Sequence, residues 1–368
     1  MAFVEVSEGS TRLLVPREDK LSKKNPVFYN PVMELNRDFS VALSMILQPE
    51  SFCDLLAGSG ARGIRVAREA GVDVTLNDLN PKAVELIRRN AQENGVRVRV
   101  ENKDARKLLS EQSFGFIDVD PFGPPVGFVD SALQALAGRG FLGVCATDTS
   151  ALCGSYPKAC LRKYDALSLR TDFYAESGLR ILLGFLARSA LRHGMGMKVL
   201  FSHSTLHYIR AYVQVDGKNS ALRDTLNSVS FIQYCPKCLA RYYRSLRELE
   251  AECECGGKPS NFGPLWKGAF ADQRICRQLS ETLDSGKFNT KKEGMRLASL
   301  ISLEQDVLTP FYDLHKLSSR QRKPVPKTES FSEKLSSSGF KFARTHFSDV
   351  GFRTDAGTKE INYVLSSF

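Results

Sequence analysis

An apolar run, Phe114-Gly-Phe-Ile117, ends in Asp118-Val-Asp120-Pro121-Phe122-Gly123. A carboxylate and a backbone carbonyl at the mouth of a strand can both accept hydrogen bonds from one exocyclic amine. Such an amine on a purine is a poor nucleophile, because its lone pair is delocalised into the ring. Holding the nitrogen nearer tetrahedral frees that pair. Asp120 would also stabilise the positive charge that develops as the nitrogen attacks. Pro121 fixes the turn so that its carbonyl points at the target, and Phe122 offers a ring on which an extruded base can stack. Methylation of a pyrimidine carbon would need a nucleophilic cysteine in this loop, and the loop has none. Asp118 is the weaker candidate, since alternation along the strand brings it to the same side only if the turn begins late. The competing reading is an Asp-Pro turn that caps a helix, a common device in α/β proteins.

A second motif upstream makes the capping turn the poorer account. Asp54-Leu-Leu-Ala-Gly58-Ser-Gly60-Ala-Arg62-Gly63 follows one apolar run and opens a helical pattern. Glycines there let backbone N–H groups approach a ligand at a helix N-terminus. Asp78 ends the next run, where a carboxylate can accept both ribose hydroxyls of an adenosine. Gly58-x-Gly60-x-x-Gly63 with that aspartate also satisfies the dinucleotide fingerprint, so a nicotinamide oxidoreductase stays open. Asp54 weighs against it: a carboxylate can face the ammonium group of S-adenosylmethionine but would oppose a pyrophosphate. Arg62 suits a carboxylate or a phosphate and does not decide. Asp104-Ala105, after the third run, suits an adenine amino group that needs an acceptor. Together with the Asp-Pro-Phe-Gly turn these residues favour amino methylation of a base with S-adenosyl-L-methionine as donor over the oxidoreductase, and they do not separate guanine N2 from adenine N6.

The elements that must hold these motifs alternate. Strands are expected at Phe52–Leu56, Val72–Asn77, Val96–Glu101, Phe114–Val119 and Gly140–Thr147, with helices at Arg62–Ala70, Pro81–Asn94 and Phe128–Ala137. After a helix over Leu179–His193, the runs Met197–His203 and Tyr208–Val215 are too close for a crossover and should pair antiparallel. The expected fold class is α/β: a Rossmann-like, mostly parallel seven-stranded sheet of the class I methyltransferase type, with a smaller α+β C-terminal domain. The expected domains are residues 1–267, with a Cys-rich insertion at about 231–259, and residues 268–368. From Gly268 onward the chain reads as helices. Its end, with a helix at Phe331–Ser337, an extended Phe340–Phe347 and a turn at Gly351, reads as a small winged-helix-like unit.

Composition narrows the setting. Of 368 residues, 42% are hydrophobic and 25% charged, which describes a soluble globular chain. No apolar stretch approaches the span of a bilayer, and Met1–Ser10 lacks the regions of a signal peptide, so a cytoplasmic location is expected. No obligate protein partner is evident. The net charge of +10 points to a polyanion. Residues 231–368 carry 22 Lys and Arg against 16 Asp and Glu. The stretch Lys316–Lys327, with Arg320, Arg322 and Lys323, reads either as a phosphate-tracking surface or as a solvated linker. Cys235-x-x-Cys238 and Cys253-x-Cys255 bring four thiolates within one hairpin, a pattern for one tetrahedral Zn2+, although ribbons usually space the second pair by two residues. Disulfides are the alternative.

Taken in order, Val27-Phe-Tyr-Asn-Pro31, Leu35-Asn-Arg37-Asp38, Leu56-Ala-Gly-Ser-Gly-Ala-Arg62-Gly63, Asp118-Val-Asp120-Pro-Phe-Gly123, Ala146-Thr-Asp148, Cys160-Leu-Arg-Lys-Tyr164, Phe262-Gly-Pro-Leu-Trp266 and Arg344-Thr-His-Phe347 carry a resemblance. Over nearly its whole length the chain resembles the archaeal tRNA (guanine-26-N2)-dimethyltransferase family. The resemblance implies two methyl transfers to the guanine between the D and anticodon stems of tRNA. It implies a cofactor set of Arg37, Arg62, Asp78, Asp104 and Ala105, and a base-binding role for Asp120 and Phe122. Arg37 enters only through the resemblance, as a fork for the methionine carboxylate. Tyr29 and Asn30 would either help close the site or only pack on the sheet, and Thr147 and Asp148 would line the substrate side. Some members of the family lack the four cysteines, so a zinc there would be structural.

Overall fold

The computed structural model describes residues 3–17, 27–136 and 138–368. Met1, Ala2 and Ala137, the last residue of the helix expected over Phe128–Ala137, lie outside the described residues.

The chain begins with a hairpin, β1 (Phe3–Glu8) and β2 (Thr11–Pro16), followed by α1 (Glu34–Leu47). Then the alternation starts: β3 (Phe52–Asp54), α2 (Ala61–Arg65), β4 (Val74–Asn77), α3 (Pro81–Glu93), β5 (Arg99–Glu101), α4 (Ala105–Glu111), β6 (Phe116–Val119), α5 (Val126–Ala135) and β7 (Arg139–Ala146). Two short helices, α6 (Thr149–Leu152) and α7 (Pro157–Tyr164), lead to the long α8 (Tyr174–Arg192) and the hairpin β8 (Gly196–Thr205) and β9 (Tyr208–Asp216). The seven-stranded sheet has the order β5-β4-β3-β6-β7-β9-β8. Strands β3 to β7 pair parallel, while β9 runs antiparallel between β7 and β8. The single reversed strand therefore lies inside the sheet, not at its edge.

Helices cover both faces, so the central strands read as unbroken apolar runs: every residue of β3, β4 and β6 is buried. Phe52 and Phe116, on neighbouring strands, pack ring to ring at 4.8 Å. Helix α3 shows why these helices form where they do. Asn80 caps it by accepting from the Lys82 N–H, Pro81 occupies the first turn, and Ala83, Val84, Leu86, Ile87 and Ala91 make one buried face. Strands β4, β5 and β6 begin two or three residues later than expected, β3 ends two residues earlier, and β7 is shifted back by one. The expected Arg62–Ala70 helix is α2 continued by a π-helical turn over Val66–Ala70.

Beyond the sheet, α9 (Asn219–Asn227) precedes β10 (Val229–Tyr234), β11 (Arg241–Arg244) and β12 (Ser260–Trp266), a three-stranded antiparallel sheet. It lies against α8, where a β-carbon on Gly184 would stand 2.6 Å from the Leu265 backbone. Helices α10 (Gln273–Ser285) and α11 (Lys291–Glu304) pack on α1, and the buried core runs from the sheet into them without a break. The end of the chain forms β13 (Tyr312–Asp313), α12 (Leu314–Gln321), α13 (Thr328–Ser337), β14 (Ala343–Thr345), β15 (Ser348–Arg353) and α14 (Thr358–Ser366). With α11 in front and the strand order β13-β15-β14, this is winged-helix connectivity. Gly351 is not a turn. It sits within β15, where a β-carbon would meet Thr345 at 2.6 Å and Phe311 at 2.9 Å, so the packing excludes a side chain there. No helix among the described residues is long and apolar enough to cross a membrane.

Candidate active site

The glycine loop links β3 to α2 at the carboxyl edge of the sheet. Gly58 and Gly60 have φ of 56° and 80°, a left-handed region that favours glycine. A β-carbon on Gly58 would stand 2.9 Å from the Phe28 carbonyl oxygen. The Asp54 carboxylate accepts from the Gly63 N–H at 2.9 Å, so it caps the helix that the loop opens. Burial pushes its carboxyl up to about 7, against the pull of Arg62 and with the push of Asp118. Asp78, at the end of β4, accepts from Gly58 N and Asn80 N, both at 2.8 Å. Its pKa is raised by burial, and the exposed Leu79 beside it offers an apolar surface. Asp104 is exposed and caps α4 through the Arg106 N–H, and Ala105 behind it is buried. Asn102 ties this turn to the Asp78 and Leu79 carbonyls. Asp54, Gly58, Gly60, Asp78, Asp104 and Ala105 thus share one edge of the sheet. The glycines pack closely on Phe28, Ile64 and Leu76, and the carboxylates are placed to accept from an ammonium group and from hydroxyls, so S-adenosyl-L-methionine fits the donor set.

One strand over, Asp118 and Asp120 follow the apolar run of β6. Asp118 is fully buried and bridges two guanidinium groups, Arg62 through Nε at 3.2 Å and Arg210, on β9, through a short ion pair. Asp120, one-fifth exposed, is held by Arg62 Nη2. Arg62 is also bound through Nη1 to Asn36 Oδ1 at 3.0 Å and Ser40 Oγ at 2.5 Å. The guanidinium expected to face a cofactor is therefore committed to protein oxygens, and what it does in this structure is aim Asp120. The turn after Asp120 is fastened to β7: Gly123 N donates to Thr147 Oγ1 at 2.7 Å, and Thr147 N to the Gly123 carbonyl at 3.1 Å. Gly123, with φ of 97°, allows the turn. Pro121 is half-buried, and Phe122 is 44% exposed, so part of its side chain is open to a partner. It packs edge to face with Phe28, centroid to centroid at 4.2 Å. Asp148 accepts from the Tyr164 hydroxyl and from Lys163 Nζ, which commits it to α7.

Arg37 is likewise engaged by protein oxygens. Its Nε and Nη2 form a fork on the Glu8 carboxylate at 2.8 and 2.5 Å, and Nη2 reaches the Asn30 carbonyl at 3.0 Å. Glu8 comes from the N-terminal hairpin, takes a hydrogen bond from the Tyr29 hydroxyl and pairs with Arg65. Asn30 caps the short turn before α1 through the Val32 N–H. Tyr29 and Asn30, both half-buried, thus belong to a brace around Glu8 and Arg37. Sequence reasoning missed Glu8, Phe28 and Asn36. It also missed Arg210, whose signal is a charged residue inside the apolar run Tyr208–Val215.

The four cysteine sulfurs lie within 4.8 Å of one another, with Cys235 and Cys255 3.5 Å apart and Cys238 and Cys253 3.7 Å apart. Zinc–sulfur bonds of about 2.3 Å set tetrahedron edges of about 3.8 Å, so the four match one tetrahedral thiolate site and not two disulfides. Burial opposes ionisation of Cys235, yet the backbone N–H groups of Cys238 and Lys237 bring its thiol down to about 7. Leu239 and Gly256, at φ of 64° and 69°, turn the two knuckles. The basic stretch is part helix, α12, and part loop. Arg320 donates to the Pro236 and Lys237 carbonyls of the first knuckle, and Lys323 reaches the Ser366 carbonyl.

A reversed strand inside a parallel sheet, a glycine loop on the first strand of the alternation and an Asp-Pro-Phe-Gly turn on the fourth define a class I S-adenosylmethionine-dependent methyltransferase. The chain belongs to the N2,N2-dimethylguanosine tRNA methyltransferase family, whose model matches residues 9–366. A relative from Methanocorpusculum labreanum, named tRNA (guanine(26)-N(2))-dimethyltransferase, is 38% identical over 96% of this chain and 94% of its own. One of the same name from Methanothermobacter thermautotrophicus is 37% identical over 99% of both. The solved Trm1 of Pyrococcus horikoshii in complex with S-adenosyl-L-methionine is 34% identical. Its TM-score is 0.89, covering 98% of this chain and 99% of that one.

Proposed function

We propose that this chain transfers two methyl groups in succession from S-adenosyl-L-methionine to the exocyclic N2 of guanine 26 in tRNA. The observation that carries this reading is the Asp120 carboxylate, held by Arg62 one strand away from the glycine loop. S-adenosyl-L-methionine supplies a methyl carbon activated on a sulfonium. Asp54, Gly58, Gly60, Asp78, Asp104 and Ala105 hold it, while Arg62 and Arg37 brace the walls. Asp120 and the carbonyl of the Pro121 turn accept from the guanine amine, and Phe122 stacks on the base. The N2 lone pair would form the new N–C bond as the methyl–sulfonium bond breaks and S-adenosylhomocysteine leaves. The cationic nitrogen would then give its proton to Asp120 or to water, so no stronger base than Asp120 is needed.

Residues 268–368 form the tRNA-binding half, with Arg322 and Lys323 on its basic stretch. One Zn2+ on Cys235, Cys238, Cys253 and Cys255 holds the knuckles together, and through Arg320 it fixes α12. A cytoplasmic location is supported by nine unpaired cysteines. The test is radiolabelled methyl transfer to tRNA transcripts with guanine or adenine at position 26, followed by nucleoside analysis. Dimethylguanosine from the first and no label in the second is the expected result. Label in adenine would move the assignment to N6, and no label in either would end it.

A further inference from the structure

Asp120 is only one-fifth exposed, so a base that reaches it has to leave its stack in the folded RNA. Something must then hold the gap open. The tip of the β8–β9 hairpin is Leu206-His207, with Thr205 and Tyr208 as its closing pair. Leu206 has φ of 52° and is 66% exposed. A branched apolar residue in the left-handed region is costly, and here the conformation buries nothing. The tip stands at the same carboxyl edge as Asp120. Ile209 pairs with Ala146 and Val144 with Val119, which places the tip two strands over, roughly 10 Å across the sheet.

The hairpin also forms one wall of a cleft of about 570 Å³ between the sheet and the winged-helix unit. On that side lie Ser150, Arg170, Tyr174 and His207, and the Arg170 guanidinium rests 3.4 Å above the Tyr174 ring. Glu293 and Arg296 of α11, with Asp349, line the same cleft. A planar cation stacked on a phenol, exposed beside an apolar tip, suits an RNA strand: phosphate to the arginine, base to the ring.

We propose that Leu206 is a wedge that enters the base stack next to the target guanine, and that Arg170 and Tyr174 hold the flanking RNA strand in the cleft. The inference rests on the tRNA reading above and adds the device that delivers the base to Asp120. An apolar side chain inserted between bases offsets the lost stacking on one side, as in proteins that kink nucleic acid.

Leu206→Gly tests it, because glycine keeps the left-handed turn and removes only the side chain. Two RNAs are compared: folded tRNA, and the same tRNA with an abasic residue opposite the target, where the guanine is already loosened. On folded tRNA the variant should lose about tenfold or more in kcat/KM, and on the abasic RNA it should come within about threefold of the parent protein. With 2-aminopurine at the target and S-adenosylhomocysteine bound, the fluorescence rise given by the parent protein should largely vanish in the variant. Unchanged melting and donor affinity establish that the fold is intact. Equal loss on both RNAs, or no loss on folded tRNA, overturns the wedge while leaving the tRNA reading standing. A parent protein inactive on both RNAs brings down the two together.

Discussion

Asp120→Asn separates the charge of the proposed catalytic aspartate from its shape. In the parent protein the carboxylate meets Arg62 on one side and leaves its remaining lone pairs for the substrate amine. About half a positive charge on nitrogen, about 3 Å from a carboxylate at an effective dielectric near 20, is stabilised by about 2.8 kcal/mol. The asparagine will turn its oxygen to Arg62, because the guanidinium only donates. Its NH2 then faces the amine donor to donor, which removes a charged hydrogen bond worth about 1.5–3 kcal/mol. Together these predict a chemical step slower by about 10³- to 10⁴-fold, at about 1.4 kcal/mol per decade. The assay is single-turnover methyl transfer from labelled S-adenosylmethionine to a tRNA transcript, with donor affinity measured separately by calorimetry. Donor affinity should hold, since Asp120 lies a strand away from the glycine loop. A rate within about tenfold of the parent protein, with the fold intact, would refute the electrostatic role assigned to Asp120.

Arg62→Met leaves Asp120 without its cation and Asp118 with only Arg210; a loss of about 3–5 kcal/mol of stability is expected in denaturant titrations, and a loss under about 1 kcal/mol would show the network to be dispensable. Asp54, with a carboxyl raised from 3.8 to about 7, takes up a proton on folding, so its contribution to stability declines as pH rises from about 4 to about 7. A bound ammonium needs the carboxylate, so donor affinity should fall about tenfold per pH unit below about 7, and calorimetry in buffers of different ionisation enthalpy should register the released proton; an affinity flat from pH 6 to 8 contradicts it. Stripping zinc with a chelator should lower the melting temperature and weaken tRNA binding while sparing the donor, and protein prepared without chelator should carry close to one zinc per chain by elemental analysis. Arg322→Glu together with Lys323→Glu should raise the tRNA half-saturation concentration at constant donor affinity, and an unchanged value would return the stretch to the status of a linker.

Most of the sheet could be read from the sequence, and so could the carboxylates at its edge. Buried parallel strands are continuous apolar runs, and Asp54, Asp78 and Asp120 each interrupt the chain where such a run stops. The antiparallel pairing of β8 and β9 followed from the short tip between them. What the sequence hid was long-range pairing of like-looking charges. Arg62 stood in the glycine motif without deciding between ligands, and Arg37 entered only through the resemblance, because whether a guanidinium is free depends on partners distant in sequence. Glu8 reaches Arg37 from 29 residues away, and Asp120 reaches Arg62 from 58. The hairpin that carries Glu8 alternates too weakly to stand out: only Glu8 is buried in β1. Gly351 misled for a different reason, since a glycine required by close packing looks the same in sequence as one required by a turn.

The four charges behind the Asp-Pro-Phe-Gly turn form a neutral set, Asp118 and Asp120 against Arg62 and Arg210, and their order matters. Asp118, with a guanidinium on either side, is the shared link, so each arginine is anchored without drawing on the lone pairs that Asp120 offers outward. If Arg62 met Asp120 alone, the pair would be free to swing as one unit. With Asn36 and Ser40 gripping Nη1 and Asp118 gripping Nε, the one remaining terminal nitrogen sets the direction of the Asp120 carboxylate. The buried ions therefore matter less for the free energy of folding, where desolvation offsets most of their attraction, than for holding one acceptor at a fixed angle to an amine that must be aligned before it can attack.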